Sequence, residues 1–459
     1  MRVITSLISL LLFACMSKTE NFQDKKKIKL ITLDPGHFHA ALVQKSMIDN
    51  IDSVVHVYAP PGPDLDLHLK RIESFNTRSE DPTNWEEVVY RGNDFLQKMT
   101  SDKSGNVVVI SGNNRRKTSY INASLKTGFH VLADKPMAIN TTDFHELTKA
   151  FKTADDKNLL LYDIMTERFE IATILQREIS MIPEIFGALE KGTPESPAVT
   201  KESVHHFYKN VAGNTLVRPA WFFDTEQQGE GIVDVTTHLV DLVQWECFPE
   251  QIIDYQTDVK LTGARRWPTN ITRSEFKSVT QIDQFPNFLN KSLVNDSTIA
   301  VYGNGEINYL IKGVHAKVSV TWAFKAPEGG GDTHYSVMRG TKSNLIITQG
   351  AETAFRPTLT IEPIREEKNF ENIVLEHIKK VQSRFPGITL EKTKSGWQLV
   401  IPDEYHVGHE AHFGQVLKKY LEYIENKNMP SWEVPNMITK YYITTQALEM
   451  AKGENESKR

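Results

Sequence analysis

The chain has 459 residues, of which 40% are hydrophobic and 24% charged, with a formal net charge of −5. These are the proportions of an ordinary globular protein, long enough for two or three domains. The mild negative charge gives no electrostatic reason to expect nucleic acid as a partner.

The chain opens with a targeting pattern. Met1-Arg2 is followed by an apolar run that ends at Cys15. The run is too short to span a bilayer and fits the apolar region of a signal peptide. Its close, Leu12-Phe13-Ala14-Cys15, resembles a bacterial lipobox. It predicts a lipoprotein signal over residues 1–15, lipid on Cys15 and a polar tether over 16–26, with plain signal-peptidase cleavage as the alternative. On this reading the protein sits in the bacterial cell envelope, and its contact with membrane is the lipid anchor alone. Cys247, the other cysteine, reads as a buried, inert thiol.

From residue 27 the pattern is that of a doubly wound parallel α/β domain running to 167. The strand KLITL enters the turn Asp34-Pro35-Gly36-His37-Phe38-His39, and a helical pattern follows. Further strands are predicted over 52–58, 106–110, 129–133 and 158–162, each a near-continuous apolar run. Between them, Lys117 to Thr127 reads as a helix stopped by Gly128, and a second helix lies around 144–152. Ligands of such sheets bind at the carboxyl ends of the strands. From 168 to 455 the pattern becomes α+β. Strand-like alternation appears at 203–208, 317–322 and 344–347, with helices around 234–245, 409–427 and 434–452. Residues 260–300, rich in Thr, Asn, Ser and Pro, read as a long loop or insertion.

Several side chains carry chemistry. Lys135 follows a buried strand and precedes Pro136, so a stiff turn presents its ammonium at the sheet edge; a plain surface lysine is the alternative. Asp234, His238 and Asp241 fall on one helical face, which also suits a capping aspartate and a core histidine. Histidine clusters stand at His37/His39, His205/His206 and His406/His409/His412. None has the spacing of a structural zinc site, and no metal is expected. Trp221, Phe222 and Phe223 read as core, with a sugar-stacking platform as the alternative.

Four stretches carry a family resemblance: GFHVLADKPMA, YDIMTERFE, GEGIVDVTTHLVDLVQW and HEAHFGQVLKKYLEYIENKNMP. In this order they resemble the glucose–fructose oxidoreductase / inositol dehydrogenase / MocA family. The resemblance implies a Rossmann-like α/β N-terminal domain and an α+β C-terminal domain with a mixed or antiparallel open sheet. It implies NAD or NADP as cofactor, held by Gly36, His37, His39, Ser111, Gly112, Asn113, Asp134, Lys135 and Pro136. Lys135, His238 and Asp234 take the catalytic positions, and Arg168, Asp241 and Trp221 face the substrate. The implied partner is a sugar or glycoside, with a homo-oligomer formed through the C-terminal sheet.

The first turn departs from the family pattern. Two of the three glycines of the dinucleotide fingerprint are replaced, at Asp34 and His39, and Pro35 removes an N–H. The second strand ends in Tyr58-Ala59-Pro60, without the usual acid for the ribose diol. Three functions follow as expectations: an exported oxidoreductase acting on a secondary hydroxyl, a redox-neutral glycosidase that keeps its cofactor, or a non-catalytic glycan- or nucleotide-binding lipoprotein.

Overall fold

The computed structural model describes residues 28–211, 214–365 and 369–456. Cys15, the signal segment and the tether lie outside them. The first domain holds six parallel strands, β1 (Leu30–Leu33), β2 (Val54–Ala59), β3 (Glu86–Arg91), β4 (Val107–Ile110), β5 (His130–Asp134) and β6 (Leu161–Ile164). Their order in the sheet is β3-β2-β1-β4-β5-β6. Leu33 lies beside Tyr58 on one side and Ile110 on the other, so the winding reverses between β1 and β4, and a crevice opens above them. The expected doubly wound class is what folds. β1, β4 and β6 are buried along their whole length, as strands covered on both faces are.

The helix Lys117–Thr127 ends as read, with Gly128 at φ 103° and its N–H on the carbonyls of Ser124 and Leu125. The helix after the first turn is shorter than its pattern suggests, only His39–Leu42. The sequence gives no clear sign of β3. It is an edge strand with Glu86 and Arg91 exposed, and charge on an edge discourages pairing with other chains.

The second domain is built on a ten-stranded mixed sheet. Val314–Lys325 runs parallel to Val199–Tyr208, and the other pairs are antiparallel. The loop expected over 260–300 is instead the long edge strand Val259–Thr272, the helix Arg273–Thr280 and the start of a paired strand at Thr298. Thr and Asn alternate outward along that edge, so its period is masked by polarity rather than absent. The helix opens on a capping box between Thr272 and Glu275.

Two features lock the domains together. The helix His409–Asn426 packs Phe413, Val416, Leu417 and Tyr420 into the core of the first domain. The final helix, Glu433–Glu456, places Met437 and Tyr441 in that core and Ile443, Ala447 and Leu448 in the core of the second. The second feature is a buried ion network across the seam. Arg168 grips Asp241 through two bonds of 2.6 and 2.7 Å and Glu433 at 3.0 Å. Lys440, with no exposed side-chain surface, reaches Asp241 and Asp163, each at 2.8 Å. Tyr441 donates to Asp163 as well, at 2.8 Å.

Breaking a buried pair by removing one charge costs about 3–5 kcal/mol, because the other charge stays buried without a partner. Asp241→Asn keeps the shape and removes the charge facing Arg168 and Lys440. It is expected to lower unfolding stability by about that amount, read from denaturant titration of the purified protein. A change below about 1 kcal/mol would show that the network does not hold the seam.

Candidate active site

A cavity of about 860 Å³ lies between the carboxyl edge of the first sheet and the second domain, within the usual range for small-molecule sites. Lys135 reaches it from the end of β5, where Asp134 closes the strand and Pro136 follows. Its Nζ donates to Asp234 Oδ1 at 2.7 Å, with both side chains nearly buried. Gln228 Nε2 donates to the other oxygen, Asp234 Oδ2, at 3.1 Å. Asp234 is therefore fixed from two sides, and it fixes Lys135.

The local fold behind Asp234 rests on Gly231. A Cβ there would lie 1.7 Å from the carbonyl oxygen of Gly303, so only glycine lets this turn meet the sheet. The turn feeds the helix Thr236–Cys247, in which every residue from Thr236 to Gln244 is buried. His238 sits in its first turn and lines the cavity. Its Nδ1 is buried without a hydrogen-bond partner. Burial first, and then the charge of Lys135, pull its pKa down to about 3, leaving a neutral imidazole at physiological pH.

Asp241, expected on the same face, points away from the cavity into the ion network with Arg168. Neither lines the cavity, and both are used up in pairing, so the substrate role implied for them is corrected to a structural one. Trp221 is also displaced from its expected place. Its indole N–H donates to Asp64 Oδ2 at 2.8 Å, and its ring stands over Gly36, where a Cβ would meet Trp221 at 3.2 Å and Asp64 at 3.1 Å. The aromatic neighbours that do line the cavity are Phe222 and Trp322, with the Arg218 guanidinium over both rings.

Among the implied cofactor residues, His37, His39, Gly112, Asp134 and Lys135 line the cavity. Gly36, Ser111, Asn113 and Pro136 do not. The amides of Gly36 and His37 are both turned to the Ser111 carbonyl, at 3.2 and 3.3 Å. Asn113 caps the short turn Asn114–Arg116 and donates to Gln227. The two acids beyond β2 are committed too, Asp64 to Trp221 and Asp66 to Arg91. The reactive end of the crevice has the room and the polar groups for a nicotinamide beside a sugar ring, including the unpartnered His238 nitrogen. At the first turn the Trp221 ring stands over Gly36, with its indole N–H held by Asp64.

Sequence reasoning does not reach Gln228, Glu167 or Asp332. Asp332 accepts from His205 and His206, each at 3.0 Å, and from Lys209. The His205/His206 pair is visible in the sequence, but its acid lies 127 residues on from His205. Cys247 is free, and burial raises its thiol pKa far above the usual value, as suits an inert side chain.

Comparison with known proteins agrees with this architecture. Residues 64–162 match the family model described as "Oxidoreductase family, NAD-binding Rossmann fold", and 175–452 match "Putative oxidoreductase C terminal domain". The first match begins beyond β2 and so leaves out the altered turn. A crystal structure titled as a "putative oxidoreductase" from Parabacteroides merdae ATCC 43184 is 55% identical, with a TM-score of 0.92 over 94% of this chain and 98% of that one. Levoglucosan dehydrogenase in complex with NADH and levoglucosan shares the fold at 12% identity and a TM-score of 0.59, over 93% of this chain and 98% of that one. So does a "putative myo-inositol dehydrogenase" from Sinorhizobium meliloti 1021, at 11% identity and 0.53, over 93% and 98%. No curated protein matches the chain. The chain belongs to the glucose–fructose oxidoreductase / inositol dehydrogenase / MocA family of oxidoreductases, with an NAD-binding Rossmann domain and the family's oxidoreductase C-terminal domain.

Proposed function

We propose that the protein is an NAD- or NADP-dependent oxidoreductase acting on a secondary hydroxyl of a sugar or glycoside, held at the cell envelope by lipid on Cys15. One observation carries the chemistry: a lysine from one domain meets an aspartate of the other at 2.7 Å, beside a neutral, unpartnered histidine in the same cavity. When bound, a nicotinamide supplies the acceptor for a hydride. The protein's own groups do the rest. Lys135 holds the reacting oxygen and stabilises negative charge that develops on it, kept in place by Asp234 and Gln228. His238, one helical turn beyond Asp234, takes the hydroxyl proton. Its low pKa makes it a weak base alone, so proton removal depends on the Lys135 charge lowering the pKa of the bound hydroxyl.

A second reading, redox-neutral cleavage of a glycoside, is favoured by the covered turn. A Trp221 ring standing over Gly36 would slow release of a nucleotide at this turn, which suits a cofactor reduced and reoxidised in place. Accumulation of reduced nucleotide with substrate supports net oxidation, and product without such accumulation supports the glycosidase.

Lys135→Ala and His238→Ala are each expected to lower turnover by about 100-fold or more, with circular dichroism unchanged. Near wild-type turnover in both would show that the chemistry does not run through these two side chains. Trp221→Ala is expected to speed nucleotide exchange in stopped-flow measurements; an unchanged rate would mean that the indole does not cover the seat. Cys15→Ser is expected to abolish lipid labelling and release the protein from membrane fractions, and unaltered fractionation and labelling would refute the anchor.

A further inference from the structure

The first turn, which departs most from the dinucleotide pattern, brings two imidazoles onto one carboxylate. His39 Nδ1 lies 2.9 Å from Asp134 Oδ2, and His37 Nδ1 lies 3.8 Å from the same oxygen. One donor atom from each of the three residues falls within 4.8 Å of the others, the one such group among the described residues. In a tetrahedral site with bonds of about 2.0–2.1 Å, neighbouring donor atoms stand roughly 3.4 Å apart. The observed separations bracket that value.

An ordinary buried hydrogen bond accounts for His39 and Asp134 alone. It does not account for His37, whose Nδ1 is too far from the carboxylate to bond and receives only a long contact, 3.4 Å, from the His39 amide. The turn that aims these rings is itself fixed. The amides of Gly36 and His37 are tied to the Ser111 carbonyl, and the Ser111 hydroxyl donates to Asp134 Oδ2 at 2.9 Å. A partner of that kind orients a carboxylate ligand. Phe413 packs against the His39 ring, at 4.5 Å between centroids, and restricts its rotation.

We propose that His37, His39 and Asp134 form a binding site for a divalent first-row transition ion of the zinc class, with open coordination positions facing the cavity. Three protein ligands with positions left open are the pattern of catalytic rather than structural sites. All three residues line the cavity that holds Lys135 and His238, so the open positions take water or an oxygen of a polyhydroxy substrate. One of the two replacements that remove glycines from the nucleotide pattern, His39, thus supplies a ligand. The inference goes beyond the oxidoreductase reading and does not need it.

The test is titration of the full chain, freed of metal by chelation, with Zn²⁺ by calorimetry and with Co²⁺ by visible absorption. One equivalent is expected to bind, with Co²⁺ giving the ligand-field bands of a nitrogen–oxygen site. Loss of a residue that merely orients a ligand costs 10–100-fold in affinity, so loss of a ligand is expected to cost at least roughly 100-fold in His39→Ala and Asp134→Asn. His37→Ala gives the same reading without touching the hydrogen-bonded pair, should either of those fail to fold. Combined His406→Ala and His409→Ala is expected to leave affinity unchanged. No bound equivalent, or binding lost in that double variant and kept in the three others, would overturn the site. Nucleotide binding to the metal-free chain is scored separately, so failure of the oxidoreductase reading is distinguishable from failure of the metal site.

Discussion

Lys440 has no exposed side-chain surface and holds two carboxylates at once, Asp163 at the end of the first sheet and Asp241 on the helix that carries His238. Much of the rest depends on this contact. Arg168 repeats the link from the other side, joining Asp241 to Glu433 at the head of the final helix. Burying these charges costs desolvation, and what returns is geometry as much as stability. The helix Thr236–Cys247 cannot roll without breaking a charged bond. His238 and Asp234 therefore keep their place opposite Lys135, which comes from the other domain. The 2.7 Å contact between Lys135 and Asp234 is a consequence of that seam, and the final helix, packed in both cores, closes it.

The first turn departs from the dinucleotide pattern on a sheet that keeps the strand order of such a domain. The strand order and switch point are those of a dinucleotide-binding domain, and the family model matches from residue 64 onward. Yet the amides that would face a diphosphate bond to Ser111 instead, and Trp221 with Asp64 stands over Gly36. No acid at the end of β2 is free for the ribose.

β1, β4 and β5 are legible because they are covered on both faces and read as near-continuous apolar runs. The helix Lys117–Thr127 was legible because Gly128 marks its end. Polarity hid the rest. β3 begins with two glutamates, and Val259–Thr272 presents Thr, Asn and Arg outward along an edge. Spacing puts Asp234, His238 and Asp241 on one helical face, and the family resemblance supplies the catalytic roles of the first two and the substrate role of Asp241. A one-dimensional pattern does not record that the helix is buried on every side, so that two acids on it face different neighbours. Gln228, Asp332 and the convergence of Asp134 on His37 and His39 depend on contacts across long stretches of chain, and no local signal encodes them.

The chemistry at Lys135 and His238 requires that this crevice bind a nicotinamide dinucleotide. The most direct measurement is mass spectrometry of the freshly purified protein under native conditions, followed by calorimetric titration with NAD and NADP. A nucleotide carried through purification, or binding tighter than millimolar to at least one of the two, is expected. Absence of any co-purifying nucleotide, with no heat of binding for either at millimolar concentration, would contradict it.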